Sequence, residues 1–186
     1  MLDFIENIDA KISLFINNLH CGILDFLMYH ITHLYCSCVV YAAVIVAFVV
    51  IKKKQCWKDI LVLILALTVI IIIIAVFIKP NVARLRPCNT VKLQNLLHVV
   101  KGYTAQSFSF MSSHAATSFT IATFVHLSLR KKYISILIFI WAFAYSYSRI
   151  YLGVHFFGDV LCGAFLGIAC GKITYELKNL FLEKNS

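Results

Sequence analysis

Charge is scarce in this sequence. Asp, Glu, Lys and Arg together make up 13% of its 186 residues, against about 25% in a soluble globular domain. Hydrophobic residues fill 61% of the chain and the mean hydropathy is +0.87. They gather in blocks instead of alternating with polar residues, and several blocks approach the roughly 20 apolar residues that carry a helix across a bilayer. The shortage of charge therefore excludes an ordinary soluble domain and points to a membrane protein. Proline is nearly absent too: Pro80 and Pro87 are its only occurrences, and both fall in one segment between blocks. Pro80 follows the end of the second predicted span and is expected to discourage that helix from continuing.

Other absences narrow the field. The seven cysteines, at positions 21, 36, 38, 56, 88, 162 and 170, are odd in number and show neither a disulfide framework nor a zinc spacing. Cys21 and Cys88 fall on the same expected face without any sign that they pair. There is no internal repeat and no low-complexity linker. The N-terminal Met-Leu-Asp-Phe lacks the basic stretch, apolar core and small-residue cleavage site of a removable signal peptide. His30 and His33 with Asp25 would be a sparse metal site, two imidazoles on one helical face with no fourth ligand, and a structural or interfacial role is expected. No metal and no cofactor is expected.

The net charge of +9 raises the question of nucleic acid, but the basic residues form no patch suited to it. Ten of the seventeen, Lys52, Lys53, Lys54, Lys58, Arg130, Lys131, Lys132, Lys172, Lys178 and Lys184, sit in short segments between or after apolar blocks. Cytoplasmic loops retain such residues, so topology accounts for the basic balance. No nucleic-acid partner and no obligate protein partner is expected; the bilayer is the expected partner.

The predicted fold is all-α, a polytopic transmembrane helix bundle with an N-terminal interfacial amphipathic helix. Leu2, Ile5, Ile8, Ile12, Phe15, Ile16 and Leu19 recur at helical spacing, but Asp3, Glu6, Asp9, Lys11 and Asn17 interrupt them too often for a span, which fits a helix lying in the interface. Spans are predicted at Tyr35–Ile51, Trp57–Ile78, Ala115–Leu129, Tyr133–Ser148 and Phe156–Tyr175. That makes five, or six if Ile23–Leu34 crosses separately. The Ile70–Ile74 run would favour a strand in water, but an isolated strand leaves its backbone unpaired in lipid, so a helix is required. Thr117, Ser118, Thr120 and Thr123 suggest that the third span packs against other helices. Residues 1–186 are expected to form one membrane-embedded domain, with 1–34 as N-terminal helices, 35–176 as the transmembrane core and 177–186 as a cytoplasmic tail. Placing the basic turns inside puts the 79–113 and 149–157 segments outside, on the exterior face of the plasma (inner) membrane.

Three polar clusters mark the outer ends of spans: Lys79 to Pro87, Phe110 to His114, and Ser148 to Asp159. Snorkelling to water explains single cations, but not Asp159, which lies inside the start of an apolar helix and needs a partner. His155 and Asp159 are four residues apart and share a helix face. Asp159 can accept a hydrogen bond from one ring nitrogen and leave the other free to attack, the orienting logic of a catalytic triad with His as the nucleophile. Lys79, Arg86 and Arg149 supply the positive charge that phosphate oxygens match. Ser112 and Ser113 stand at a helix start, where free backbone N–H groups favour an anion, and His114 is placed to protonate a departing oxygen. Arg84 and His98 are candidates for touching the lipid headgroup. His126, Tyr145, Tyr147 and Tyr151 are assigned to packing or the interface belt.

In these three clusters the chain resembles the type 2 phosphatidic acid phosphatases, whose pattern is K-x6-R-P, then P-S-G-H, then S-R-x5-H-x3-D. Lys79, Arg86 and Pro87 match the first, and Ser148, Arg149, His155 and Asp159 the third. In the second, Ser112 and His114 fit, while Met111 and Ser113 stand where the family has Pro and Gly. The resemblance implies that His155 is the nucleophile, Asp159 its activator and His114 the general acid, with Lys79, Arg86, Ser112, Ser113 and Arg149 binding phosphate. It implies a metal-independent lipid phosphatase working through a phosphohistidine on the outer leaflet. Undecaprenyl diphosphate ranks first as substrate, followed by lipid A and then phosphatidylglycerophosphate. A non-hydrolytic lipid transporter would need polar residues deep in several spans, whereas these spans are polar at one end. A silent binding protein would not need Lys79, Arg149, His155 and Asp159 together.

Overall fold

The computed structural model describes residues 2–183, and they are helical throughout their long segments. Helix α1 covers Leu2–Asn18 and α2 Gly22–Thr32, the two meeting at 113°. Helix α3 runs over Leu34–Lys52. Helix α4, Cys56–Ile72, continues through a π-helical segment at Ile73–Ile78 into a last turn, α5, at Lys79–Val82. The loop beyond it contains a short helix α6 at Val91–Gln94. Helices α7 (Ser113–Leu129), α8 (Lys132–Tyr151) and α9 (Phe157–Glu183) complete the chain. The five predicted spans coincide with the helical segments α3, α4 with its extension, α7, α8 and α9; among the described residues, the stretch that begins with α3 and continues through α4, and helices α8 and α9, are long and apolar enough to cross a membrane. The segment 23–34 is a separate 11-residue helix packed against α8, too short to cross a bilayer by itself at 1.5 Å per residue.

Helix α7 is the axis of the bundle. Ala115, Ala116, Phe119, Ile121, Ala122, Phe124 and Val125 are all buried around its circumference, which is the mark of a helix with neighbours on every side. It packs chiefly on α9, where Gly163, Gly167 and Gly171 recur every four residues. A Cβ at these positions would lie 2.6 Å from the Ser112 carbonyl oxygen, 2.3 Å from that of Ala116 and 2.8 Å from that of Thr120. Small residues at i, i+4 spacing let two membrane helices approach this closely. The contact sets the depth at which the start of α7 faces the start of α9. By contrast, α3 and α4 expose Val39, Val46, Val50, Leu61, Leu65 and Val69, as a lipid-facing surface requires.

Three expectations change. Pro80 does not end its helix. The wider turn at Ile73–Ile78 alters the hydrogen-bond register just before a residue that has no N–H to give, and the helix runs on until Ala83, whose φ of 48° is left-handed. Helix α1 is amphipathic as predicted, but the Asp9, Ser13 and Asn17 stripe of its polar residues meets protein, while Glu6 and Lys11 stay exposed. Ser13 and Asn17 are buried while Phe4, Ile5, Phe15 and Leu19 are exposed. A period of 3.6 reveals a two-faced helix without saying which solvent each face meets. Finally, α9 continues through the first residues of the expected cytoplasmic tail to Glu183, and residues 184–186 lie outside the described residues. Lys178, counted above as a topological charge, is 6% exposed and ion-paired at 2.8 Å with Asp59 of α4. The positive-inside count registers charges and cannot see a partner 119 residues away.

Candidate active site

The backbone first brings the expected residues together. Asp159 lies in the first turn of α9, and its carbonyl oxygen accepts a hydrogen bond from the Ser112 N–H at 3.1 Å. Ser112 is the N-cap of α7, its hydroxyl accepting from the Ala115 N–H at 3.4 Å. Ser113 and His114 follow in the same first turn, half-buried. The chain reverses between α8 and α9 in a tight turn where the N–H groups of Val154 and His155 both donate to the carbonyl of Arg149 at 3.1 Å. Gly153 supplies this turn with a φ of +68°, open to glycine without strain. Arg149 and His155 are thereby fixed at one end of the bundle beside the start of α7.

His155 is 1% exposed and Asp159 fully buried. The direct contact, His155 Nδ1 to Asp159 Oδ2, is 3.4 Å, long for a hydrogen bond. The reason is competition. Asp159 Oδ2 also accepts from the Phe156 N–H at 2.9 Å and from the Ser109 hydroxyl, and that hydroxyl lies 3.4 Å from His155 Nδ1. The imidazole is held by Asp159 and Ser109 jointly. On its other side Arg86 Nη1 stands 3.1 Å from Nε2. Arg86 is itself fixed by the Val154 carbonyl at 2.7 Å, the Ser107 carbonyl at 2.5 Å and the Ser107 hydroxyl at 2.9 Å.

The remaining cations converge on the same place. Arg149 donates through Nη1 to the Tyr103 hydroxyl at 2.8 Å and to Thr32, and its buried Nε has no partner among the described residues. Lys79, half-buried at the start of α5, is close enough to interact with the charges of Arg86, Arg149 and Asp159. His114 is within similar reach of Arg149, His155, Lys79 and Arg86, with its ring 5.3 Å from that of Tyr145. Met111 packs with Ile70, Ile74 and Ala116, so an apolar side chain stands where the family pattern has Pro. All eight predicted site residues occupy this one end of the bundle.

Arg84 is the departure. It does not face outward toward a headgroup. Its guanidinium bridges Asp159 Oδ1 and Asp9 Oδ2, each at 2.7 Å, and lies 3.9 Å from the ring centre of Phe156. His98 also turns inward, 3.0 Å from Asp25, which accepts a 2.6 Å bond from the Tyr151 hydroxyl. Ser107, Ser109, Thr32 and Tyr103 carry no signal of their own in the sequence, because loop serines and a loop tyrosine gain a role only once the tertiary fold places them. His30 and His33 sit among Tyr29, Tyr35 and Tyr103. Among the described residues no group of three or more His, Cys, Asp or Glu is arranged to hold a metal ion. All seven cysteines, Cys21 and Cys88 included, are free thiols.

Burial, reinforced by the charges of Arg86 and Arg149, pushes the imidazole of His155 down to about 3 against the opposing pull of Asp159. The ring is therefore neutral at physiological pH, and its Nε2 lone pair faces Arg86 Nη1, which turns to a phosphate oxygen before Nε2 can attack. The same shift makes stability pH-dependent. In the unfolded chain this His titrates near 6.5, so below that value the unfolded state takes up the proton first. Stability is complete above 6.5 and declines as pH falls toward 3. Thermal unfolding in detergent should drop between pH 7 and pH 5, and by less in His155→Asn; equal drops would show that the shift is absent.

Known proteins place this arrangement. The chain is 34% identical over 180 residues to a lipid A 4'-phosphatase of Bacteroides thetaiotaomicron, covering 94% of this chain and 79% of that protein. It is 26% identical to a lipid A 4'-phosphatase of Porphyromonas gingivalis, covering 95% and 75%. Among solved structures it is similar to LpxE of Aquifex aeolicus, with a TM-score of 0.69 and 32% identity over 89% of this chain and 93% of that one. A transmembrane PAP2-type phosphatidylglycerolphosphate phosphatase of Bacillus subtilis also aligns with a TM-score of 0.69, at 26% identity over 98% and 88%. A family model matches residues 57–182, the stretch that holds every cation and both histidines of the site, and the chain belongs to the PAP2 superfamily.

Proposed function

We propose that this membrane phosphatase removes a phosphate from a phosphorylated glycolipid of the lipid A type through a phosphohistidine at His155. The observation that carries the chemistry is the guanidinium of Arg86 at 3.1 Å from His155 Nε2. A cation beside the attacking nitrogen is where the oxygens of a phosphoryl group would be held during transfer. The Nε2 lone pair attacks phosphorus as the bond to the lipid oxygen breaks, and His114, entering the step protonated beside the anionic phosphate of the substrate, gives its proton to that oxygen. Water then attacks the phosphohistidine, His114 takes its proton, and inorganic phosphate leaves with His155 neutral again. Lys79, Arg86, Arg149 and the N–H groups at the start of α7 hold the phosphate.

Lipid A moves ahead of undecaprenyl diphosphate on two grounds. Both relatives named above are lipid A phosphatases and align over most of their length. The wall next to Arg149 suits a phosphorylated sugar: the Tyr103 hydroxyl touches Arg149, and Tyr29 and His33 meet the Tyr103 ring edge-on. Lys101 lies over Tyr29 at 4.6 Å. Aromatic faces beside cations match a sugar ring carrying phosphate. An apolar groove of about 410 Å³ between α4 and α9, lined by Leu65, Val69, Ile73, Leu166 and Ile173, suits an acyl chain. The site lies at the end of the bundle away from the Lys52–Lys54 and Arg130–Lys132 turns, which favours a plasma-membrane protein with its site on the exterior face.

The test is phosphate release by purified protein from lipid A, undecaprenyl diphosphate and phosphatidylglycerophosphate, with and without chelator. Release is expected to be fastest from lipid A and unchanged by chelator. A faster rate on undecaprenyl diphosphate overturns the substrate assignment, and loss of release with chelator overturns the metal-independent route.

A further inference from the structure

The polar stripe of α1 ends at the candidate site. Asp9, Ser13 and Asn17 are four residues apart and therefore share one face. Asn17 donates to the carbonyls of Tyr151 at 2.6 Å and His98 at 3.0 Å. Ser13 accepts from the Phe157 N–H at 2.9 Å, and Asp9 Oδ1 from the Gly158 N–H at 2.7 Å. Two of the free N–H groups at the start of α9 are thus capped by side chains from α1. The approach is close, since a Cβ on Gly158 would lie 2.9 Å from Asp9 Oδ2. That second oxygen takes Arg84 Nη2 at 2.7 Å while Arg84 Nη1 holds Asp159 Oδ1 at 2.7 Å. The side chains of Asp9, Arg84 and Asp159 are 12%, 21% and 0% exposed.

We propose that Asp9 is a positioning residue for phosphoryl transfer, acting through Arg84 on the carboxylate of Asp159; the inference rests on the phosphohistidine reading above. A planar guanidinium between two carboxylates has its orientation fixed at both ends. With Asp9 in place, Arg84 presents Nη1 to Asp159 Oδ1 and leaves Oδ2 directed at His155 and Ser109. Without the Asp9 charge, Arg84 keeps one anchor and can turn toward the phosphate, so Asp159 loses the constraint that aims it. The residue that does this is 150 positions from Asp159 in sequence and lies on a helix outside the stretch matched by the family model.

The experiment compares steady-state kinetics and thermal unfolding of the full-length protein in detergent for wild type, Asp9→Asn, Ser13→Ala and Arg84→Lys. Asp9→Asn keeps an acceptor for the Gly158 N–H and removes the charge facing Arg84. It should lower kcat by roughly 10-fold with KM within about twofold of wild type, the pattern of a group that matters only in the transition state. Ser13→Ala loosens the same helix without touching Arg84 and should leave kcat near wild type. The double variant with Arg84→Lys should be no slower than the slower single variant, as expected for groups acting as one unit. If Asp9→Asn does not fold, Arg84→Lys carries the test, since it keeps the charge and α1 docking but loses the fork that bridges two carboxylates. A wild-type kcat in Asp9→Asn, or equal losses of kcat and unfolding temperature in Asp9→Asn and Ser13→Ala, overturns the role in positioning. Wild type inactive on every lipid phosphate overturns this and the phosphohistidine reading together, whereas active wild type and inactive His155→Ala leave only the Asp9 role at stake.

Discussion

His155→Ala should reduce phosphate release from a lipid phosphate by roughly 10³-fold or more, as removal of a covalent nucleophile does when its supporting groups remain in place. The binding cations are untouched by the change. Arg86 is held by Ser107 and the Val154 backbone, Arg149 by Thr32 and Tyr103. Substrate should therefore still bind, and KM should move much less than kcat. Rapid alkaline quench of wild type with radiolabelled lipid phosphate should trap label on the protein that is stable to base and labile to acid, as a phosphoramidate is. His155→Ala should trap none. Retention of more than a tenth of the wild-type rate by the variant would mean that another group, or water directly, attacks phosphorus. Asp159→Asn is informative beside it. Its side chain can still accept from the Phe156 N–H but no longer opposes the charge of Arg84, so a partial loss is expected where the His variant is silent.

These residues were legible because the information is local. An i, i+4 His–Asp pair, a Lys followed seven positions later by Arg-Pro, and Ser-Ser-His at a helix start are each visible within a few turns. Their order along the chain placed them at a common end of the bundle. What supports them was not legible. Ser109 shares the duty of holding His155, yet one serine in a loop looks like any other until the fold sets it between the imidazole and Asp159. Arg84 lies two residues before Arg86 and looks like a second outward cation. Its role is decided by Asp9, on a helix whose two-faced pattern was visible but whose docking direction was not. The same limit applies to Lys178, where a charge at the end of an apolar block fits a topology rule equally well whether or not it is buried against Asp59. Burying an unpaired charge in this apolar setting would be costly, so the pair was required by physics, but only the fold identifies the partner.

The second large effect concerns no reacting group. Gly167→Val should destabilise the protein by about 3 kcal/mol, at the upper end of what overpacking a tight contact costs; for a chain of this size that lowers the unfolding temperature by roughly 6–12 °C. A Cβ at this position would lie 2.3 Å from the Ala116 carbonyl oxygen and 2.9 Å from the Phe119 Cβ. A backbone oxygen cannot rotate away as a side chain can, so α7 and α9 must separate. Their separation reaches the site directly, because the Ser112 N–H donates to the Asp159 carbonyl and the first turn of α7 carries Ser113 and His114. A displacement of 1 Å at a reacting centre costs on the order of 10²-fold in rate, so residual folded protein should be slow as well as less stable. Phe165, two residues away and 65% exposed on the opposite side of α9, is the control, and Phe165→Leu should match wild type in both measurements. Wild-type unfolding temperature and turnover in Gly167→Val would mean that the two helices do not meet at this glycine, and the placement of Ser112 and His114 against Asp159 would have to come from elsewhere in the bundle.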